Sequence, residues 1–303
     1  MLSEEEERFH FGMWAINKSP LILGNQMTSK TSTRASSIAI LSNADVIAIN
    51  QDPLAKQAQL VRRYTEEGWD VWAGELSGGR TVLALANWKA AGQTVRLSLP
   101  AVLGIASARA RDVWAGRDLG AVSGVYSAAL PSHGLHLVVL SDVVRAAAPA
   151  HRSAGYYAGR DAARAGGASL VSCAGKGDAT FLPAPCAPAG VKVTQLGSLT
   201  FANVSAASAG VKLVALDYVN YDVALGSAWS NGSNSRDLTV SVNDGAARRW
   251  ALPISGGSWW ETGRLLLELD GFRAGTNTVV LRSSSGPPPD IVGIELFEED
   301  EAK

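Results

Sequence analysis

Residues 9–52 read FHFGMWAINKSPLILGNQMTSKTSTRASSIAILSNADVIAINQD, and this stretch decides the kind of fold with which the chain begins. Just before it, Ser3 and Glu6 have the spacing of a capping box, and apolar residues at helical spacing follow. We predict a helix over residues 2–18. Pro20 ends this helix, because proline lacks the backbone N–H that the next helical turn requires.

Short apolar runs follow this proline. Residues 21–23 form a run short enough to be one buried parallel strand. Apolar residues in the segment 35–43 predict a second helix, and residues 46–49 predict another short extended segment. Helix, buried strand and helix in succession indicate a fragment of an α/β barrel rather than a complete domain, and we assign it residues 1–55.

From residue 56 onward, the apolar pattern changes to a period of two. Residues 82–86 and 95–99 alternate in the way that strands of a sandwich require, and we predict an antiparallel β-sandwich over residues 56–142. A segment rich in Ala, Pro and Arg, residues 143–155, is predicted to be a linker.

A second all-β unit is predicted at residues 156–297, followed by an acidic tail at 298–303. Its clearest strand pattern is LTVSV at residues 238–242, which a hairpin signal at Asp244 and Gly245 closes. The predicted fold class is mainly β, with a short α/β fragment followed by two antiparallel β-sandwich domains.

Charge and hydropathy exclude some classes of partner. The chain has 27 basic and 28 acidic residues and a net charge of −1, which gives no electrostatic reason to expect nucleic acid or an anionic membrane. No apolar stretch reaches the roughly 18 residues of a spanning helix, so we predict no membrane association. The first residues also lack the basic start and apolar core of a secretory signal.

Two cysteines and three sequons are the remaining covalent features. Cys173 and Cys186 lie close together among glycines and prolines, which favours a disulfide, with two inert thiols as the alternative. Asn203 and Asn231 are predicted glycosylation sites, whereas Asn17 lies in a predicted helix and is a poor acceptor. The four histidines are dispersed along the chain and predict no metal site.

Three motifs in the first half of the chain resemble α-galactosidases of glycoside hydrolase family 27. They are KSPLILG at residues 18–24, SNADVIAINQDPL at 42–54 and VWAGELS at 71–77. The resemblance covers about the first 140 residues and implies that residues 1–55 are the end of a (β/α)8 barrel that precedes a C-terminal sandwich. It also implies that no cofactor is required for catalysis.

The same resemblance implies a retaining mechanism with two aspartates, a nucleophile and an acid/base, about 5–5.5 Å apart. In that family both aspartates precede the segment that is similar here, so we assign no catalytic residue and expect this chain alone to be inactive. Relatives often have Asp and Arg where this chain has Gln26 and Thr28. This departure leaves open how the chain treats substrate.

The second β unit resembles carbohydrate-binding module family 35 in four segments. They are GSLTFANVSAASAG at residues 197–210, DYVNYD at 217–222, SNSRDLTVSVNDG at 233–245 and PDIVGIEL at 289–296. The resemblance implies a β-sandwich that binds polysaccharide through its loops. Such modules often hold structural calcium, so the resemblance allows a calcium ion in this domain.

A sugar site needs flat aromatic surface and planar polar groups. The candidate contacts that we select are Asn220, Tyr221, Arg236, Trp259 and Asp290. Trp229 and Trp260 are further aromatic candidates, and for each tryptophan the alternative is a residue of the sandwich core. Because Trp259 and Trp260 are adjacent, a strand would direct them to opposite faces, and at most one would bind. Asp290 has two alternatives, a carboxylate that holds a turn or a calcium ligand.

Two functional hypotheses follow. In the first, the chain is the C-terminal portion of an α-galactosidase that hydrolyses terminal α-galactosyl residues of oligo- and polysaccharides with retention. In the alternative, it is a stand-alone carbohydrate-binding, lectin-like protein without catalysis. Both predict a galactose-containing oligo- or polysaccharide as partner and an extracellular location for the full-length parent. A barrel remnant by itself is also expected to expose apolar helix faces.

Overall fold

The computed structural model describes residues 2–24, 33–147, 151–177, 184–223, 234–284 and 286–299. The chain divides into two compact units, Met1–Ala148 and Pro149–Lys303, each with its own sheets. Strands outnumber helices in both units. Among the described residues, no helix combines the length and the hydropathy that crossing a membrane requires.

The first unit begins with three helices, α1 (Glu4–Ile16), α2 (Ala35–Leu41) and α3 (Ala44–Asn50). The predicted capping box is present, since the Ser3 side chain accepts from the Glu6 backbone N–H while the Glu6 carboxylate accepts from the Ser3 backbone N–H at 2.7 Å. The first helix ends before Pro20, as predicted.

The prediction of an extended segment at residues 46–49 was wrong, because these residues lie within α3. The Asn43 side chain caps this helix by accepting from the N–H groups of Asp45 and Val46 at 3.0 and 3.1 Å. Val46 and Ile49 are buried one helical turn apart. A short apolar run cannot by itself separate a strand from a buried helix, and the cap decides between them.

Residues 21–23 were predicted to form a buried strand, and this was also wrong. They lie outside the strands of the structure, and the Ile22 and Leu23 side chains are 80% and 45% exposed. A strand needs a hydrogen-bonded neighbour, and no described residue pairs with this segment.

The strands of the first unit form two antiparallel sheets. Their bounds are β1 (Gln59–Tyr64), β2 (Trp69–Leu76), β3 (Arg80–Asn87), β4 (Gln93–Ser98), β5 (Ile105–Asp112), β6 (Arg117–Ser123), β7 (Val125–Leu130) and β8 (Leu135–Arg145), with the short helix α4 (Leu99–Leu103) after β4. The larger sheet has the order β1-β2-β3-β8-β5-β6, and the smaller one pairs β4 with β7.

The larger sheet is buried on both faces. Leu83 and Leu85 of β3 pack with residues of the smaller sheet to form the sandwich core. On the opposite face, Val82 and Ala84 pack with residues of the three helices. Helix α1 lies close to β8 at Gly12, where an added Cβ would lie 2.5 Å from a Leu135 methyl group. The alternation predicted for residues 82–86 therefore separates two cores, and the helices belong to the same compact unit as the sandwich.

The second unit also contains two antiparallel sheets. Its strands are β9 (His151–Ala158), β10 (Ala163–Ala165), β11 (Ser169–Ser172), β12 (Val191–Thr194), β13 (Ser198–Ala206), β14 (Gly210–Val219), β15 (Arg236–Val242), β16 (Arg248–Leu252), β17 (Gly263–Phe272), β18 (Gly275–Ser283) and β19 (Asp290–Glu299). One sheet has the order β10-β13-β18-β15-β16. The other has the order β11-β12-β19-β14-β17, and β9 pairs with residues 293–299 of β19, beyond the point where β12 pairs with it.

Two expected boundaries need correction. The predicted linker 143–155 contains the end of β8 and the first half of β9, which pairs with β19. The predicted acidic tail begins inside β19. There Glu298 is buried and forms an ion pair of 2.6 Å with the buried Lys212. The local composition indicates neither feature, because each depends on pairing with residues that are distant in the chain.

Candidate functional site

Four of the five candidate sugar contacts lie at or next to strand ends of the second unit, and Trp259 lies in the turn that precedes β17. Asn220 and Tyr221 follow β14, Arg236 begins β15 and Asp290 begins β19. Val219 is paired with Asp290 in the β14–β19 ladder, and Arg236 contacts both the Trp259 ring and the Pro288 carbonyl. The structure thus brings the five predicted residues together.

Trp259 lies at the centre of this cluster. The Arg236 guanidinium carbon lies 4.8 Å from the centroid of its ring, and the Tyr221 ring meets it edge-on at 6.3 Å. Arg236 is itself held by the Pro288 carbonyl at 3.1 Å and by the Asp222 carboxylate at 3.4 Å. Cation–π and edge-to-face contacts fix the Trp259 ring while leaving it partly exposed.

Lys192 connects this aromatic residue to Asp290. Its buried ammonium donates to the Trp259 carbonyl at 2.6 Å and to the Asp290 carboxylate at 2.8 Å. It also lies 4.5 Å from the centroid of the Trp260 ring. Burial raises the pKa of Asp290, and the hydrogen bond from Lys192 opposes this shift. Asp290 is thus paired with the lysine that also binds the turn of Trp259, and its role in holding a turn or binding calcium stays a prediction.

Asn220 is fully buried and its side chain is fully engaged. Its amide donates to the carbonyls of Asn234 and Leu252, both at 3.0 Å, and its side-chain oxygen accepts from the Asp222 N–H at 3.1 Å. Its backbone N–H donates to the Ser255 hydroxyl. Because both amide hydrogens are engaged, this side chain could donate to a ligand only by breaking one of these bonds.

Trp259 and Trp260 both belong to a turn rather than to a strand. Both rings are partly buried against a small core that contains Val219 and Val292. The turn geometry removes the argument that only one of the two could face a ligand, since strand alternation does not apply.

The predicted disulfide is confirmed: Cys173 and Cys186 are bonded and completely buried. The backbone N–H of Cys186 donates to the Trp260 carbonyl at 2.7 Å. The covalent loop therefore holds the aromatic turn from one side, while Lys192 holds it from the other.

The charges of this cluster balance. Lys192 and Arg236 are cationic, and Asp222 and Asp290 supply two carboxylates. A balanced, aromatic surface is suited to a neutral polar ligand rather than to an ion. Among the described residues, no group of three or more His, Cys, Asp and Glu side chains could hold a metal ion, and calcium in this unit stays a prediction.

Sequence reasoning missed Lys192 and Asp222. Lys192 stands between valines in a strand, and nothing local indicates that its ammonium reaches residues about 70 and 100 positions away. Asp222 lay within the DYVNYD segment but carried no signal for pairing with Arg236.

The other residues singled out from the sequence are not part of this cluster. Asn203 is exposed in a bulge of β13 with a left-handed backbone (φ 59°), and its glycosylation stays a prediction. Asn231, Trp229, Gln26 and Thr28 lie outside the described residues.

Comparison with known proteins identifies the first unit. The family model described as the α-galactosidase C-terminal β-sandwich domain matches residues 66–140, which lie in the two-sheet sandwich. Part of this chain is therefore a sandwich of the kind that α-galactosidases have at their C-terminus. The resemblance of the second unit to carbohydrate-binding module family 35 stays a prediction.

Whole-chain relatives extend this result. Alpha-galactosidase D of Emericella nidulans is 30% identical over 401 residues, which cover 98% of this chain and 60% of the relative. The probable alpha-galactosidase D of Neosartorya fischeri is 30% identical with the same coverage of each chain. The crystal structure of alpha-galactosidase I from Mortierella vinacea covers 48% of this chain and 38% of its own, with 28% identity and a TM-score of 0.44.

Over its length, the chain is similar to the C-terminal part of α-galactosidases of glycoside hydrolase family 27. It spans about 60% of the length of the curated relatives that it matches. The match of 401 residues is longer than the 303 residues of this chain, so the relative has residues within the matched region that have no counterpart here.

Proposed function

We propose that this chain is the C-terminal portion of a secreted enzyme that hydrolyses terminal α-galactosyl residues of oligo- and polysaccharides with retention. The observation that carries the proposal is the match to alpha-galactosidase D over 98% of the chain. The reaction needs a nucleophilic carboxylate and a carboxylic acid across the glycosidic bond. We assign neither role to a residue of this chain, which is therefore inactive alone.

The test is an assay with nitrophenyl α-galactoside. The isolated chain is expected to release no nitrophenol, whereas a version extended by the in-frame upstream coding sequence is expected to release it. Alpha-galactosidase D of Emericella nidulans serves as the positive control. Turnover by the isolated chain would contradict the placement of the catalytic carboxylates. Inactivity of a folded extended protein on every α-galactoside would contradict the enzymatic proposal itself.

A second function, carbohydrate binding by the second unit, is favoured by the cluster around Trp259. In this proposal, Tyr221, Trp259 and Arg236 contact a galactose-containing polysaccharide, while Asn220 and Asp290 position the loops. The partly exposed aromatic rings and the balanced charges support this division of roles.

Retention on insoluble galactomannan tests this second function. Trp259→Ala is expected to weaken retention about tenfold, because stacking on one aromatic ring contributes up to about 1.5 kcal/mol. Arg249→Ala, which removes an exposed arginine elsewhere in the same unit, is the matched control. Equal retention of both variants would argue against this surface as the binding site.

The proposed extracellular location is supported by the disulfide, since such bonds persist in oxidising compartments. Structural calcium in the second unit is proposed from the resemblance alone. A chelator would then lower the melting temperature of this unit, and added calcium would restore it. An unchanged melting temperature would remove calcium from the proposal.

A further inference from the structure

A small cavity in the first unit belongs to none of the sites described above. It has a volume of about 180 Å³ and is lined by Glu6, Phe9, Asn87, Trp88 and His133. The Trp88 side chain is 49% exposed there, although large aromatic residues are usually well buried. The volume is below the roughly 300–1,000 Å³ typical of drug-sized ligands, which suits a ligand of one ring.

The Trp88 ring is rigidly held. Its indole N–H donates to the Asp70 carboxylate at 2.8 Å, and Asp70 is buried and also bound by Arg63 through two further nitrogen atoms. The Phe9 ring meets Trp88 edge-on with 4.8 Å between centroids. A ligand that stacks on this ring would not have to immobilise it, which lowers the entropic cost of binding.

Two polar side chains stand beside the ring. Glu6 accepts from Ser3 through one carboxylate oxygen and contacts His133 Nδ1 at 3.2 Å through the other. Hydrogen bonds from the Ser3 backbone and then from His133 lower the pKa of Glu6 to about 2, so its carboxylate stays ionised. With Nδ1 bonded to this carboxylate, Nε2 of His133 can bond to a ligand, since no described residue is bonded to it.

His133 also has an unusual backbone. Its φ of 48° is left-handed, a conformation that few non-glycine residues adopt, and its N–H donates to the Lys89 carbonyl at 3.0 Å. Such conformations are found preferentially at functional sites, where they aim a side chain. In contrast, the Asn87 side chain forms four hydrogen bonds within the protein, so it lines the cavity without being available to a ligand.

We propose that this cavity binds one neutral pyranosyl unit of a glycan. The apolar C–H face of the sugar stacks on Trp88, and its hydroxyl groups donate to the Glu6 carboxylate and form a hydrogen bond with Nε2 of His133. The carboxylate at the rim disfavours uronic acids and other anions. Galactose is the first sugar to be tested, and this choice rests on the proposed function. The inference that the cavity binds a sugar does not rest on it.

The test is a titration of the whole chain followed by NMR of its tryptophan indole N–H and histidine ring C–H signals. Trp88→Phe identifies the Trp88 indole signal by its absence. Methyl α-galactoside, up to roughly 50 mM to detect millimolar affinity, is expected to shift the Trp88 and His133 signals. Methyl α-mannoside, methyl α-glucoside and methyl α-glucuronide are titrated in parallel, and the last is expected to bind weakest.

Variants then test the roles of the side chains. In each variant, sugar binding is measured from the shifts of the His133 signals. Trp88→Ala is expected to weaken binding at least tenfold, and Trp88→Phe to retain part of it. Trp14→Ala, which removes another exposed tryptophan outside this cavity, is expected to leave binding unchanged. Equal weakening by Trp14→Ala and Trp88→Ala would overturn the proposal.

The outcomes separate this proposal from the proposed function. Shifts with mannoside or glucoside but not with galactoside would support the cavity as a sugar site while contradicting its link to galactosides. No shift of the Trp88 or His133 signal with any of the pyranosides would overturn the inference, whatever the galactosidase assay gives.

Discussion

Asp52 shows at the residue scale why the INQDPL motif belongs to this fold. Its carboxylate is buried and accepts from the Ser77 backbone N–H at 2.9 Å and the Ser77 hydroxyl at 2.8 Å. It also accepts from the Leu54 N–H at 3.1 Å and the Arg80 guanidinium at 3.0 Å. This one side chain ties the segment that follows α3 to the turn between β2 and β3.

Replacing Asp52 by asparagine is therefore expected to destabilise the first unit by about 2 kcal/mol, since an amide cannot accept all of these bonds. Asp142→Asn is the matched control. Asp142 is exposed and has a left-handed backbone that asparagine tolerates. Denaturant unfolding gives the free energy of unfolding of both variants. Equal values for the two would contradict the stabilising role of the Asp52 hydrogen bonds.

The same carboxylate predicts a pH dependence. Burial alone would raise the pKa of Asp52, but hydrogen bonds from Ser77 and Leu54 and the charge of Lys18 outweigh burial and lower it below the ordinary value of 3.8. A lowered pKa in the folded state means that the stabilisation is complete above about pH 4 and is lost as the pH falls through the folded value. The melting-temperature difference between the wild type and Asp52→Asn should narrow from about pH 6 to about pH 3. A constant difference would show that the pKa is not lowered.

At the element scale, the turn with Trp259 and Trp260 depends on distant supports. The disulfide reaches it through the hydrogen bond from Cys186 N–H to the Trp260 carbonyl, and Lys192 reaches it through the Trp259 carbonyl. The turn has no regular ladder of its own. Its conformation therefore depends on these anchors rather than on strand pairing.

Replacing both Cys173 and Cys186 by serine is expected to destabilise the second unit by about 3 kcal/mol, because the bond closes a short loop of the unfolded chain. The change in thermal unfolding should be confined to the second unit, and tryptophan fluorescence should report a looser aromatic turn. Reduction of the wild type gives an independent check. An unchanged transition of the second unit would contradict the role of the disulfide.

At the scale of the whole molecule, the chain consists of two compact units with separate cores. The boundary expected from composition, residues 156–297, would remove half of β9 and the buried Glu298. Both lie at the edge where β9 pairs with β19.

A fragment of residues 149–303 is therefore expected to unfold cooperatively and at a higher temperature than a fragment of residues 156–297. The shorter fragment lacks several backbone hydrogen bonds of the β9–β19 ladder and leaves Lys212 buried without its partner, which is costly. Calorimetry of the two fragments makes the comparison. Equal melting temperatures would show that this edge contributes nothing to the stability of the unit.

The sequence by itself determined the elements whose signals are local. The capping box set the start of α1, the alternation of residues 82–86 predicted a strand, and two nearby cysteines predicted their bond. These signals suffice because burial of one face imposes a period, and a cap needs only residues three positions apart.

Only the tertiary structure decided the rest. It joined Lys192 to Asp290 and placed His133 and Glu6 beside Trp88. The physical reason is that these arrangements depend on which strands become neighbours and in what register. Contacts between residues up to 127 positions apart leave no periodic trace in the local sequence.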